Sequence, residues 1–524
     1  MRRRRSPILL AVAAAILLPA GSASALSYPV TSTADSSANG TLRWAIGKAN
    51  ANSGPDSIPI EASGAILLGS ELPAVEGDLS IVGRGPEATT IGREALAGSF
   101  GIFDLSGGEV SLEGMKIAGG DATLGGGIHN GAGALTLTKV AMVGNEATAV
   151  SIADAPARGG GIYSLGPLTL RESTVSGNRA VAEGSAETDA EGGGIFTLGE
   201  LTIERSTISG NAARDLSGAG GHLSALGGGI YAQDEVTIDR STISGNSVFA
   251  EEGAGAIAAG GGLFATAAGQ LTGVTLTANS ALGGGTSGSN LRAPGYWVLR
   301  NTIVADPKGD AASCLDNLDS GGYNLDEDGS CGLEEGSDLV GVIAGLDPEL
   351  KDNGGPTATH ALLAGSPAID RGNSFGATVD QRGLPRPSNF PEISDKEGGD
   401  GSDIGAFELQ APAPPPTPPA VSGGGSPVLV SETPTDRTPP NTRIASGPPR
   451  TTFKRQAQFR FASSEAQSHF QCKLDKKKWK ACVNPFKSSV KPGKHLFQVR
   501  AIDRFGNVDP TPARFGWRVK PIAS

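Results

Sequence analysis

The sequence predicts an all-β protein in which a right-handed parallel β-helix is followed by a small antiparallel β-sandwich. Three observations predict it. Units opening on three glycines and then Ile or Leu begin at Gly125, Gly159, Gly192, Gly227 and Gly260, spaced 34, 33, 35 and 33 residues apart, and fixed periods of this size mark a solenoid. Within them, residues 201–211 (LTIERSTISGN) and 236–246 (VTIDRSTISGN) alternate apolar with polar residues and are rich in Thr and Ile, a pattern of strands rather than helices. With 78 glycines and an aromatic fraction of 5%, the chain can build a thin, stacked aliphatic core with glycine at its corners.

The elements follow in chain order. Arg2 to Arg5, the apolar run from Ile8 to Leu18, and Ala23-Ser24-Ala25 have the order of a secretory leader, residues 1–25, cleaved before Leu26. Its apolar run is too short to span a bilayer, and no later run is long and apolar enough. The mature chain is therefore expected to be secreted, or held non-covalently at the cell surface, with no transmembrane segment. Residues 26–300 are the expected β-helix. It opens on residues 41–50, an amphipathic helix with Leu42, Ala45, Ile46 and Ala49 on one side, read as a cap over the open edge of the stack. Residues 55–120 then read as less regular opening coils.

In each central unit the period of two points Leu201 and Ile203 to one face, Thr202 to the other. The chain bends near Glu204 and Arg205, and Gly210-Asn211 tolerates the left-handed backbone of a corner. One unit offers about five inward aliphatics, at roughly 1.5–3 kcal/mol each. Ordering costs roughly 1–2 kcal/mol per residue, so only stacking makes the unit stable. Segments 146–158, 179–191, 212–226 and 247–259, of 13, 13, 15 and 13 residues, are read as loops projecting from one side. They carry Glu146, Asp154, Glu183, Glu187, Asp189, Glu191, Asp215, Glu251 and Glu252. This acidic face is the candidate binding surface, with Glu187, Asp189, Glu191, Asp215, Glu251 and Glu252 as its candidate ligands. The alternatives are a merely solvated edge and a surface for a divalent cation or cationic ligand; no cofactor is otherwise expected.

Residues 301–410 continue as the closing part of the β-helix. Residues 411–438 read as a linker, with six prolines among Ala411 to Ala420 and then Gly423 to Gly425, extended first and flexible afterwards. Residues 439–520 again alternate like half-buried strands, and about eighty such residues suggest a sandwich. Charge divides at the linker. From Arg437 onward there are 19 Lys and Arg against 4 Asp and Glu, about +15; the chain totals of 43 and 54 leave 24 against 50, or −26, for residues 1–436. Lys473, Lys476, Lys477, Lys478, Lys480 and Lys487 gather around a short cysteine loop. They are the candidate docking residues for an acidic envelope polymer, against the plainer reading of a solvated basic surface. An exported chain without aromatic interleaving is a poor nucleic-acid binder. Four cysteines allow three pairings; the local pairs Cys314–Cys331 and Cys472–Cys482 are the expected disulfides of an oxidising compartment.

Residues 41–50 (TLRWAIGKAN) resemble the leading element of exported bacterial β-helix proteins of the pectin-lyase-like superfamily. Residues 352–357 (DNGGPT), 365–370 (GSPAID), 380–383 (DQRG) and 403–408 (DIGAFE), with Cys314, Gly322 to Leu325 and Cys331, resemble the choice-of-anchor Q region. In the terminal segment Pro439 to Thr442, Phe470 to Cys472, Trp479 to Cys482, and Val499 to Asp503 with Gly506-Asn507 resemble a bacterial Ig-like domain. The resemblance implies a surface or secreted β-helix with an accessory module, and it brings no catalytic residue set. Asp370, Asp380, Arg382, Asp403 and His360 could converge on a reaction, or cap turns and fix an irregular closing segment. The expected function is an adhesin or structural rod, monomeric, with an envelope polymer or surface glycan as partner. The alternative is a polysaccharide lyase or glycoside hydrolase. Against the alternative, the best coils are near copies, with Glu204-Arg205 standing where Asp239-Arg240 stands, and a catalytic coil would differ from its neighbours.

Overall fold

The computed structural model describes residues 24–151, 156–184, 189–216, 223–251, 255–309, 311–316, 318–411, 439–452, 454–465, 468–482, 484–502 and 507–520. Nearly all of the expected leader and linker, and Asp154, Glu187 and Glu252, lie outside these residues. The chain divides into two compact units, Met1–Pro414 and Pro415–Ser524.

The first unit is a parallel β-helix. Leu168 pairs with Leu201, Leu201 with Val236, and Val236 with Gly269, all in parallel register, so each residue lies over its counterpart one repeat away. One coil runs through Ile195–Thr197, Leu201–Glu204, Thr207–Ser209, Ala212–Asp215 and Ser224–Leu226. The second and third strands belong to a 19-stranded sheet, the first and fourth to separate 7-stranded sheets, and the last to a 5-stranded sheet. Ile195, Leu201, Ile203 and Ile208 are fully buried, with Ala213 and Ala225 of the same coil. Asn211 is fully buried as well. The bend lies at Arg205 (φ 47°), as at Glu172 and Arg240, and Gly210 (φ 62°) takes the left-handed corner. The glycine triplet has its own cause: Gly192 has φ 65°, and a Cβ on Gly193 would collide with backbone of Ala212 and Gly228.

The segments read as loops are mostly strands. Glu146–Ser151, Arg179–Gly184, Ala212–Asp215 and Ser247–Ala250 belong to the second 7-stranded sheet, while Ala157–Arg158, Asp189–Glu191, Ser224–Leu226 and Ile257–Ala259 form the 5-stranded one. Between them lies a layer of small side chains, among them Ala182, Ala190, Ala213, Ala225, Ala250 and Ala258, all fully buried. Alanine has low strand propensity, but it lets the two sheets approach closely. The segments do stack, as paired sheets rather than a loop face.

Helix Leu42–Asn50 is capped by Thr41, which accepts the Trp44 N–H, and it buries Leu42, Ala45, Ile46 and Ala49 in the core of the rod. At the other end Trp297–Arg300, Ile303–Ala305 and Leu325–Asp326 continue the coils. Residues 344–410 then form an irregular arm that runs back along the rod. Arm residues Ala358 and Gln381 bond Thr207, Gln381 bonds Thr242, His360 bonds Ser244, and Ala406 donates to Thr275. The outer faces of those strands are covered by the chain itself.

The second unit is a two-sheet β-sandwich. Thr442–Ser446, Gln456–Ser463 and Phe486–Ser489 form a 3-stranded sheet; Thr451–Thr452, Ala513–Val519, Gly493–Ile502, His469–Leu474 and Lys480–Cys482 form a 5-stranded one, in that order. Its core holds Phe459, Phe461, Phe497, Val499 and Trp517. Both expected disulfides are present, Cys314–Cys331 and Cys472–Cys482. No helix among the described residues is long and apolar enough to cross a membrane.

Candidate functional site

The strand register of the sandwich decides where its cations point. Gln471 pairs with Arg500, Lys473 with Gln498, Gln498 with Arg514, and Lys494 with Arg518. Paired residues share a face, and Phe470, Cys472 and Leu474 alternate with Gln471 and Lys473 to face the core. Lys473, Arg500, Arg514, Lys494 and Arg518 therefore line the outer face of the 5-stranded sheet. Trp479 lies among them, with the Arg500 guanidinium 4.6 Å and the Lys473 ammonium 5.9 Å from its ring centre. Arg500 is also fixed by Gln471, whose Oε1 accepts from Nε at 3.0 Å and Nη2 at 2.7 Å. Among the described residues of this unit, the ion pair found is His495 with Asp475 at 2.9 Å, so none of these cations is neutralised by a paired carboxylate.

The lysines expected to form one cluster are divided. Lys473 is on the outer sheet face, Lys476, Lys477 and Lys478 are exposed in the following turn, and Lys480 is exposed on the edge strand. Lys487 belongs to the other sheet, opposite Gln458. Linear proximity around the cysteine loop could not reveal which sheet each strand joins.

On the rod, two of the expected acidic ligands are unavailable. Asp215 is fully buried between the paired sheets and accepts the Ser224 N–H at 2.7 Å; Glu191 is 5% exposed and meets Arg158 Nε at 2.5 Å. Their register explains this. Asp215 stands where Ala182 and Ala250 stand in neighbouring coils, and Glu191 faces the stacked rings of Tyr163, Phe196 and Tyr231, whose centroids are 5.1 and 5.0 Å apart. Asp189 is half-buried, and Glu251 is exposed at the end of its strand. Among the described residues no group of three His, Cys, Asp or Glu is placed to hold a metal ion.

Of the residues that tempted a catalytic reading, Asp370, Asp380, Arg382 and Asp403 converge in the arm around Glu408 and are buried, while His360 is buried apart from them, against Ser244 and Asp347. Arg382 donates to Asp380 and to the Asn353 and Glu408 carbonyls; Arg386 meets Glu408 at 2.7 Å and donates to the Asp403 and Gly405 carbonyls. Asp370, Asp380, Asp403 and Glu408 are fully buried. Burial pushes the Asp403 carboxyl up to about 8, with the Glu408 charge acting the same way, and burial pushes Asp370 up to about 6. Burial also lowers the His360 pKa. His360 Nδ1 lies 2.7 Å from the Asp347 carbonyl and so carries the proton, leaving Nε2 to accept from the Ser244 hydroxyl at 2.7 Å. Apart from Asp370 Oδ1, which is buried without a hydrogen-bond partner, these groups satisfy one another, and the Ser244–His360 bond and the Asn301 amide on the Asp403 carbonyl fasten the arm to the rod.

An open cleft of about 750 Å3 also lies near the last coils of the rod, lined by Tyr296, Arg300, Asp319, Glu334 and Glu335 among others. Tyr296 is 67% exposed. The repeat pattern gave no indication of it, because it forms where the coils become irregular.

No family model matches the chain, and no curated protein matches it. Among solved structures it is similar to the crystal structure of pectate lyase Pel9A, with 13% identity, a TM-score of 0.36, and coverage of 74% of this chain and 97% of that one. A likeness so low carries no argument about chemistry, and the parallel β-helix rests on the strand register itself.

Proposed function

We propose that this chain is a secreted or cell-surface rod that docks through its basic C-terminal sandwich on an acidic polymer of the cell envelope and displays the β-helix as an adhesin or structural element. The single observation that carries this reading is the outer face of the 5-stranded sheet, where Lys473, Arg500, Arg514, Lys494 and Arg518 share one surface without a paired carboxylate. A multivalent cationic face favours a polyanion and makes attachment salt-dependent. The sandwich is read as an Ig-like module and residues 301–410 as a choice-of-anchor Q region, on the motifs quoted above. The leader-like start and two disulfides agree with export. The test is retention of the mature chain on isolated cell envelopes at low and high salt. Retention released by salt, and reduced when Lys473, Lys476, Lys477 and Lys478 are changed to Gln, supports the reading. Retention that ignores both, or its absence, overturns it.

A second reading, a polysaccharide-cleaving enzyme, is favoured by one place: the open cleft where Arg300 stands beside Asp319, Glu334 and Glu335. Carboxylates across an open groove are what glycoside hydrolysis requires. A degradation screen on anionic and neutral polysaccharides, repeated with Glu334→Gln and Glu335→Gln, tests it; product release abolished by either change would establish this reading.

A further inference from the structure

A cleft of about 750 Å3 opens in the C-terminal sandwich beside the 3-stranded sheet, within the range of roughly 300–1,000 Å3 usual for ligand sites. Its chemistry is set by strand register. Gln456 pairs with Ser489 and Gln458 with Lys487, so these four side chains share one outer face. Lys454 stands two residues before Gln456, on the same rim. Gly447, Pro448 and Pro449 line the cleft as well, weakly polar and, at the prolines, rigid. Among the described residues, none of the side chains of Lys454, Gln456, Gln458, Lys487 and Ser489 takes part in a hydrogen bond or ion pair within the protein.

We infer that this cleft binds one anionic sugar unit of a polysaccharide. The inference rests on the docking reading only for the source of its ligand. Two ammonium groups, which can only donate, call for a carboxylate or a similar acid group. The glutamine amides and the Ser489 hydroxyl both donate and accept, so they need a partner with hydroxyl groups as well as acceptors. A bare inorganic anion would leave the glutamine carbonyls facing negative charge. A neutral sugar would leave the lysines unanswered. The prolines offer a flat apolar surface to a sugar ring. An acidic sugar meets all three demands together.

Binding to the mature full-length chain is measured by calorimetry with three probes: a trisaccharide of mannuronic acid, neutral cellotriose and tripolyphosphate. The uronate trisaccharide is expected to bind and cellotriose to bind more weakly. Lys454→Gln combined with Lys487→Gln should weaken the uronate by at least about tenfold, the loss expected from two charge-assisted hydrogen bonds. Gln456→Ala combined with Gln458→Ala should weaken it at unchanged net charge while leaving tripolyphosphate unaffected. Lys48→Gln combined with Lys139→Gln removes the same charge from the rod and should matter by less than about twofold. All of these side chains are exposed, and a thermal melt confirms that each variant is folded. The proposal is overturned if the uronate does not bind, if both lysine pairs act equally, or if the glutamine changes have no effect. It stands separately from docking. Cleft-dependent uronate binding without salt-released envelope retention removes the docking reading alone, while envelope retention without uronate binding removes the cleft alone.

Discussion

Asn211 sits at the centre of a buried ladder. Its Oδ1 accepts from the N–H and the Nδ2 of Asn178, while its own Nδ2 donates to Asn246 and to the Val175 carbonyl. Asn145, Asn178, Asn211, Asn246 and Asn279 repeat the arrangement at 2.9 Å from coil to coil. Asn211→Ala strands two donors and a carbonyl in a dry interior, at about 1–3 kcal/mol for each unsatisfied group. We expect denaturant unfolding to show a loss of about 3 kcal/mol, against near zero for Thr202→Ala on the half-exposed face. The sequence shows Gly210-Asn211 as a corner, and Gly210 is one, but the burial of Asn211 escapes a local reading. What determines it is the identical residue one coil above and one below. That information was present in the fixed spacing of Asn178, Asn211 and Asn246, had the repeat been read across coils as well as along them. The charged residues at the bend meet across coils in the same way: Arg240 meets Glu204 at 2.9 Å and Arg205 meets Glu172 at 2.5 Å.

At the scale of elements, the arm is held by buried charge, and that gives it a pH dependence. In the arm Asp370 is pushed up to about 6 by burial and Asp403 to about 8, and Asp326 on the last coil is pushed up to about 6 by burial as well. An acid whose folded pKa is raised contributes fully while protonated, below about 4, and loses that contribution as pH rises through the folded value. Asp347 and Asp400, held low by hydrogen bonds from Lys351 and from Ser374 and Ser402, act in the opposite sense. Their contribution is lost only as pH falls below about 4. The two carboxyl windows do not overlap, and His360, lowered by burial, opposes the first by losing its contribution as pH falls below about 6.5. Three raised carboxyls against one imidazole leave a net fall in Tm from about pH 5 towards pH 8, with Asp370→Asn flattening the fall between about pH 4 and 6. An unchanged Tm over that span would refute the argument. Arg386→Ala should do more, because it leaves Glu408 buried and unpaired at about 3–5 kcal/mol; limited proteolysis should then cut within 344–410. The sequence allowed Asp370, Asp380, Arg382 and Asp403 to fix an irregular closing segment. It could not indicate that this segment returns over Thr207, Thr242 and Thr275, since an irregular chain carries no period. The alanine-rich strands escaped for a related reason: their propensity is poor, and only the facing sheet makes them strands.

The first unit combines a periodic rod with an aperiodic arm, and the two respond differently to a change in rod length. Glu146 lies in register with Arg179, and Ala212 with Ser247, so deleting 146–178 or 212–246 joins Asn145 to Arg179 or Asn211 to Ser247 without shifting any strand by one residue. Considered as a stack of nearest-neighbour interfaces, the rod should tolerate either deletion equally. The arm breaks that equivalence. Its hydrogen bonds run from the Arg205 carbonyl and Thr207 through Thr242 and Ser244 to Thr275 and Asn301, and none reaches the strands between 146 and 178. Removing 146–178 shortens the rod outside the span that these bonds measure. Removing 212–246 takes away Thr242 and Ser244, which bond Gln381 and His360, and draws Thr207 and Thr275 one coil closer, by about 4.8 Å. We therefore expect the first variant to melt in one cooperative transition with its arm resistant to protease. The second should retain its strand content by circular dichroism yet be cleaved within 344–410. Equal protection of the arm in both variants would mean that it does not depend on the coils beneath it, and that the hydrogen bonds to Thr207, Thr242 and Thr275 contribute little to holding it in place.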